Sequence, residues 1–176
     1  MNSSQKTLRI LNKWGVKTRL LNHREKQLWI RKWKRAFLVP IPKRISSKSI
    51  YGQFFHTFSY GLTPCLENRL ALKTYSKQKQ NTWTILLWDG DPERVIVCSS
   101  KALPTSKQLE KLRDIQESCA DIHLTSTDLK WTFCITHESE CGPYFSQPFE
   151  GWRSKLNIDA IKRKLGPKTI DYLNGN

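Results

Sequence analysis

The chain has 176 residues, 38% of them hydrophobic, with seven Trp and a net charge of +15. That length suits one domain with a single core, and that apolar and aromatic content excludes general disorder. No apolar run approaches the ~20 residues of a membrane span, and the start, MNSSQKTLRILNKW, lacks the continuous apolar stretch of a secretory signal.

Thr7 to Trp14 is predicted as a short helix, with Leu8, Ile10 and Leu11 on or near one side. Gly15 stands where a left-handed residue would end that helix. VKTRLL, residues 16–21, is expected as a short strand. Asn22 follows as an N-cap, with Glu25 three residues on in the capping-box position. The helix from His23 to about Leu38 is amphipathic. At about 100° per residue, Trp29, Ile30, Trp33, Ala36 and Phe37 share one third of the wheel, and Arg24, Arg31, Lys34 and Arg35 crowd the opposite side. Pro40 and Pro42 end it.

PIPKRISSKS, residues 40–49, is expected as a basic linker or exposed loop. The aromatic run YGQFFHTFSYG, residues 51–61, is expected as a buried strand, with a helix as the alternative for so short a run. A helix over residues 66–79 is expected to turn Leu66, Leu70 and Tyr75 inward. Two β-rich runs, residues 82–88 and 94–99, flank Asp89-Gly90-Asp91-Pro92 and predict a hairpin. Thr105 with Gln108 forms a second capping-box signal, opening a helix to about Ser118. DIHLTS and WTFCITH, joined by TDLK, predict a second hairpin. Asn157 is expected to cap a last short helix, Ile158 to Leu165, stopped by Gly166-Pro167.

These elements amount to an α+β fold, with a mostly antiparallel sheet of about four to six strands packed with helices. Residues 1–150 are assigned to a single α+β domain with a basic N-terminal helical segment. Residues 151–176 are assigned to a basic C-terminal extension with a short helix.

Charge is unevenly spread along this plan. Residues 1–50 hold fourteen basic side chains and one acid (+13), residues 51–150 ten and twelve (−2), and residues 151–176 six and two (+4). A nearly neutral centre with basic ends points to a polyanionic partner, nucleic acid or a ribonucleoprotein before others. Arg24, Arg31, Lys34 and Arg35 on the entry helix are the first candidates for phosphate contact, then Lys43 and Arg44, then Lys162, Arg163 and Lys164. An acidic protein is the rival partner. An anionic membrane surface ranks lower, because the core needs the helix's apolar face. Trp29 and Trp33 lie on that same face and are expected in the core rather than stacked on bases.

Five cysteines, Cys65, Cys98, Cys119, Cys134 and Cys141, give an odd count without a CxxC, as reduced thiols in the cytoplasm would. The densest chemistry lies in THESECGPYF, Thr136 to Phe145. His56, Cys65, His137 and Cys141 form a set that zinc accepts, with Glu138 or Glu140 as a substitute ligand. His137-x3-Cys141 is a plausible half-site, whereas His56-x8-Cys65 matches none. No motif demands a cofactor. The alternative is an enzyme in which Cys141 or Cys65 is activated by His137 or His56, with Glu138 orienting the imidazole. The plainer expectation is a strand ending at His137-Glu138, a turn at Gly142-Pro143, and a return of Tyr144 and Phe145 to the core. No phosphate-binding P-loop and no G-x-G-x-x-G occurs.

Two stretches, HTFSYGLTPCLE from His56 and DIHLTSTDLKWTFCITHESECGPYF from Asp121, carry FSYG, C-L-E, W-T, T-H-E and C-G-P-Y-F. With the upstream W-x-x-x-W-x-x-x-F of Trp29 to Phe37, they resemble an uncharacterised bacterial family, a domain of unknown function, over roughly residues 7–148. The resemblance implies no activity, cofactor or catalytic residue. The strand ending T-H-E is also similar to immunity proteins of toxin systems, which implies a protein-binding module. The basic N-terminal part and the basic tail after Phe149 depart from the family pattern, so the polyanion expectation rests on this chain's own charges.

Overall fold

The computed structural model describes residues 3–38, 58, 63–88, 94–115, 121–138 and 140–148. Helix α1 covers Ser3–Lys13 and strand β1 covers Lys17–Leu20. Between them Gly15 takes φ +72°. Its N–H bonds to Asn12 O at 2.9 Å, and Val16 N–H bonds to Leu11 O at 3.0 Å. This is a Schellman ending, closed by the buried pair Leu11 and Val16.

Helix α2, His23–Phe37, opens on the expected capping box: Asn22 accepts from Glu25 N–H, and Glu25 reaches back to Asn22 N–H at 3.0 Å. Its buried side chains, Ile30, Trp33 and Phe37, are those that the 3.6-residue period places inward. Strand β2, Leu66–Glu67, leads directly into helix α3, Asn68–Tyr75. Strands β3, Thr82–Trp88, and β4, Arg94–Ser99, form the expected hairpin. Helix α4, Ser106–Asp114, carries the second capping box, Thr105 with Gln108. Strands β5, Asp121–Ser126, and β6, Thr132–Ile135, make the second hairpin, and β7, Tyr144–Ser146, follows.

All pairings are antiparallel, in the order β1-β4-β3-β5-β6-β7-β2. The architecture is therefore α+β, with seven strands rather than four to six. The additional members are short: β2 and β7 hold two and three residues and exist through pairing with neighbours, Leu66 with Phe145 and Glu67 with Tyr144. So short a strand leaves no alternation in the sequence to detect.

The sheet divides the core in two. One face carries Trp83, Ile85, Leu87, Ile122, Leu124 and Phe133 against Leu11 of α1, Ala71 and Tyr75 of α3, and Leu109 and Leu112 of α4. The other carries Leu86, Val95, Cys134 and Tyr144 against α2 and Phe58. Both faces are covered, so β5 and β6 are buried at every position.

Four expectations need correction. The helix placed over residues 66–79 is α3 alone, and its inward side is Ala71 and Tyr75. Leu66 and Leu70 are 39% and 60% exposed, because the helix starts two residues later than its apolar letters suggest. Phe58 is fully buried as expected but takes the helical alternative rather than the strand, and the rest of residues 51–61 lies outside the described residues. WTFCITH is strand only over Thr132–Ile135, since the chain leaves the sheet at Thr136. The helix expected to about Ser118 ends at Asp114 with Ile115 as its cap, and residues 116–118, the linker 40–49 and the extension 151–176 lie outside the described residues.

Candidate functional site

Two regions hold the residues that the sequence singled out. The first is the outer face of α2. Arg24, Arg31 and Arg35 are exposed and Lys34 is half-buried. Lys32 and the 45%-exposed Leu28 share this outer face. Arg24, Arg31, Lys32 and Arg35 make no ion pair among the described residues. The one acid of the segment, Glu25, is held below the usual carboxylate range by the Asn22 backbone N–H at the N-cap and then by Arg19 at 2.8 Å. Edge strand β1 adds the exposed Lys17 and Arg19. Trp33 is fully buried and Trp29 is partly buried in the core, so neither is presented for stacking. Lys43, Arg44, Lys162, Arg163 and Lys164 lie outside the described residues.

α2 is held in place from its inner side. Trp33 Nε1 donates to Thr125 Oγ1 at 3.1 Å and to Thr132 Oγ1 at 3.3 Å, and these hydroxyls lie 3.0 Å apart. The indole also packs edge-on against His123, at 5.1 Å between ring centroids. His123 is fully buried, and that burial lowers its pKa to about 3, so the ring is neutral.

The second region is the corner after β6. Here the structure supplies a partner that the sequence reading missed. Asp121, 1% exposed at the start of β5, accepts two hydrogen bonds from His137: backbone N–H at 2.9 Å and ring Nδ1–H at 2.8 Å. Burial raises the Asp121 carboxyl to about 6, although the bonds from His137 pull the other way. With Nδ1 committed, Nε2 is the outward nitrogen, 3.9 Å from Glu138 Oε1. A buried carboxylate that sets the tautomer of a half-exposed imidazole is the arrangement of a general base. The only signal for Asp121 was an acid heading an apolar strand.

The thiols point the other way. Cys141 is half-buried beside Glu138, and its pKa is raised, first by desolvation and then by the Glu138 carboxylate. A nucleophilic cysteine needs the opposite shift. Cys65 directs its thiol at Phe58 O, 4.0 Å away, and Cys134 lies 3.8 Å from His123 Nε2. None of the four described cysteines forms a disulfide, and no three of His, Cys, Asp and Glu among the described residues gather as metal ligands. His56 lies outside the described residues, so the four-residue zinc set is described only at Cys65, His137 and Cys141.

The turn itself depends on one glycine. Gly142 has φ +83°, and a Cβ there would lie 2.9 Å from the Tyr144 ring. Gly142→Ala is expected to lower stability by at least about 1–2 kcal/mol, the cost of a left-handed alanine before any clash with Tyr144. A lowered urea midpoint at unchanged slope would report it; an unchanged midpoint would show that the corner relaxes freely.

Among the described residues no helix is long and apolar enough to cross a membrane. Compared with known families, residues 4–145 match the family described as a domain of unknown function, DUF4275. No curated protein and no solved structure matches the chain. The match spans most of the chain, which therefore belongs to the DUF4275 family.

Proposed function

We propose that this DUF4275 protein is a non-enzymatic binding protein that contacts nucleic acid, or a ribonucleoprotein, through the outer face of α2. One observation carries the reading: Arg24, Arg31, Lys32 and Arg35 stand exposed and without ion pairs among the described residues, on a helix whose other side is buried. Exposed cations on a rigid helix release counterions from a phosphate backbone without ordering the helix first. Trp29 and Trp33 of α2 lie in the core, so the contacts of this face are electrostatic and only weakly selective for sequence. The cytoplasm and its RNA or DNA are the setting this reading implies.

Fluorescence polarisation with short single- and double-stranded oligonucleotides, titrated in salt, tests it. A log–log slope of about 0.9 per phosphate contact on duplex is expected. The charge reversal Arg24→Glu/Arg31→Glu/Arg35→Glu is expected to flatten that slope by about three contacts and weaken binding at least tenfold at low salt. No binding near 50 mM salt, the low end at which such contacts are strongest, would overturn the reading. A partner that survives nuclease treatment in a pull-down would favour an acidic protein on the same face.

A further inference from the structure

A cleft of about 1170 Å³ opens on the sheet face opposite α2, between α3 with the segment after it and the β4–α4 connection. It is at or above the ~300–1,000 Å³ typical of small-ligand sites. Its walls are tied together. Tyr75 OH donates to Pro104 O at 2.5 Å, and Ser100 N–H donates to Asn81 O at 3.0 Å. Tyr75 is anchored in turn by stacking on Phe133, with ring centroids 4.1 Å apart. Ligand entry therefore need not first assemble the cleft.

The lining is chemically one-sided. Arg69, Lys73, Lys79 and Lys101 border the cleft, and among the described residues no Asp or Glu does. None of the four makes an ion pair among the described residues. Four cations without a described carboxylate partner, set around a concave surface, focus positive potential into it. Apolar surface is offered by Leu70, 60% exposed, and by the partly buried Leu103. The carboxamides of Gln80 and Asn81 add paired donors and acceptors.

We propose that this cleft binds a nucleoside phosphate. The phosphates would be met by Lys73, Lys79, Lys101 and Arg69, one face of the base would lie on Leu70 and Leu103, and the base edge would be bonded by the carboxamides. The assignment does not depend on the α2 surface, which lies across the sheet. The same chemistry could arrive as a free nucleotide or as the end of a nucleic acid strand, and the test separates these sources.

Isothermal titration calorimetry of the full chain would compare ATP, adenosine, pyrophosphate and a single-stranded oligonucleotide. ATP is expected to bind in the micromolar range, at least about tenfold tighter than pyrophosphate or adenosine. Lys73→Glu/Lys101→Glu, at two exposed positions, is expected to weaken ATP at least tenfold, while Arg31→Glu/Arg35→Glu leaves it unchanged. Lys79→Ala gives the same readout with a milder change should the double variant fold poorly. ATP displaced by the oligonucleotide would assign the cleft to a strand end; ATP bound alongside it would assign a free nucleotide. Absence of ATP binding at millimolar concentration would overturn the proposal. So would equal affinity for pyrophosphate and ATP, or loss of ATP binding in the α2 variant alone.

Discussion

Trp33→Ala is expected to be the most damaging single truncation in the protein, lowering stability by about 3–5 kcal/mol. Trp33 has no exposed surface, and its ring packs on Phe37 at 5.5 Å and on His123 at 5.1 Å. It joins α2 to both strands of the β5–β6 hairpin through Thr125 and Thr132. Its removal leaves a large cavity and takes away the donor that those hydroxyls share. Trp33→Phe separates the two effects. It keeps much of the packing, and the two threonines, 3.0 Å apart, still bond to each other, so a cost of about 1–2 kcal/mol is expected. Urea unfolding at constant slope checks both variants. A loss below about 1 kcal/mol for Trp33→Ala would show that α2 does not depend on this anchor. Loss of α2 order would also remove the rigid cationic face proposed to bind phosphates.

The second large effect is a pH dependence with two opposing sources. His123 falls from an ordinary 6.5 to about 3 on folding, because burial disfavours its charged form. Its contribution to stability is complete above 6.5 and is lost as pH falls towards 3, on the order of 4–5 kcal/mol in all. Asp121 moves the other way, from 3.8 to about 6, chiefly through burial. The folded chain holds that proton more tightly. Its contribution is therefore complete below 3.8 and is lost as pH rises through 6, on the order of 3 kcal/mol. Between about pH 6 and 4 the two largely cancel, and stability varies little from this pair.

Substitution exposes each source. Asp121→Asn is expected to show stability falling steadily from pH 6.5 towards 3, at up to about 1.4 kcal/mol per pH unit. His123→Leu is expected to become more stable as pH falls from 6 to 4, relative to the parent chain. Urea midpoints at half-unit pH steps measure this. Parallel profiles for all three chains would mean that neither group is shifted by the fold. Other carboxylates contribute equally to each chain and drop out of the comparison.

The α2 face and the corner after β6 differ in how far the sequence disclosed them. The α2 face was legible because a helix's two sides are written in its own fifteen residues, with the caps at Asn22 and Glu25 marking its start. The corner was only half legible. His137, Glu138 and Cys141 were singled out, but Asp121, sixteen residues upstream, reaches His137 only because β5 and β6 pair antiparallel. Burial, and then the Glu138 carboxylate three residues before it, raise the pKa of Cys141, which its own letter does not disclose. The cleft was not anticipated, since its walls come from segments about thirty residues apart.

The sequence by itself determined the class of fold, α2 and its buried side, both capping boxes, the two hairpins and the uneven charge. Each follows from periodicity, turn chemistry or composition within a short window of chain. Only the tertiary structure decided the seven-strand order, the outward turn of Leu66 and Leu70, the Asp121–His137 pair, the Trp33 anchor and the cationic cleft. These depend on which distant backbone groups pair and which faces are thereby covered. A strand of two or three residues, or a carboxylate buried by its neighbours, leaves no local pattern from which its partner could be named.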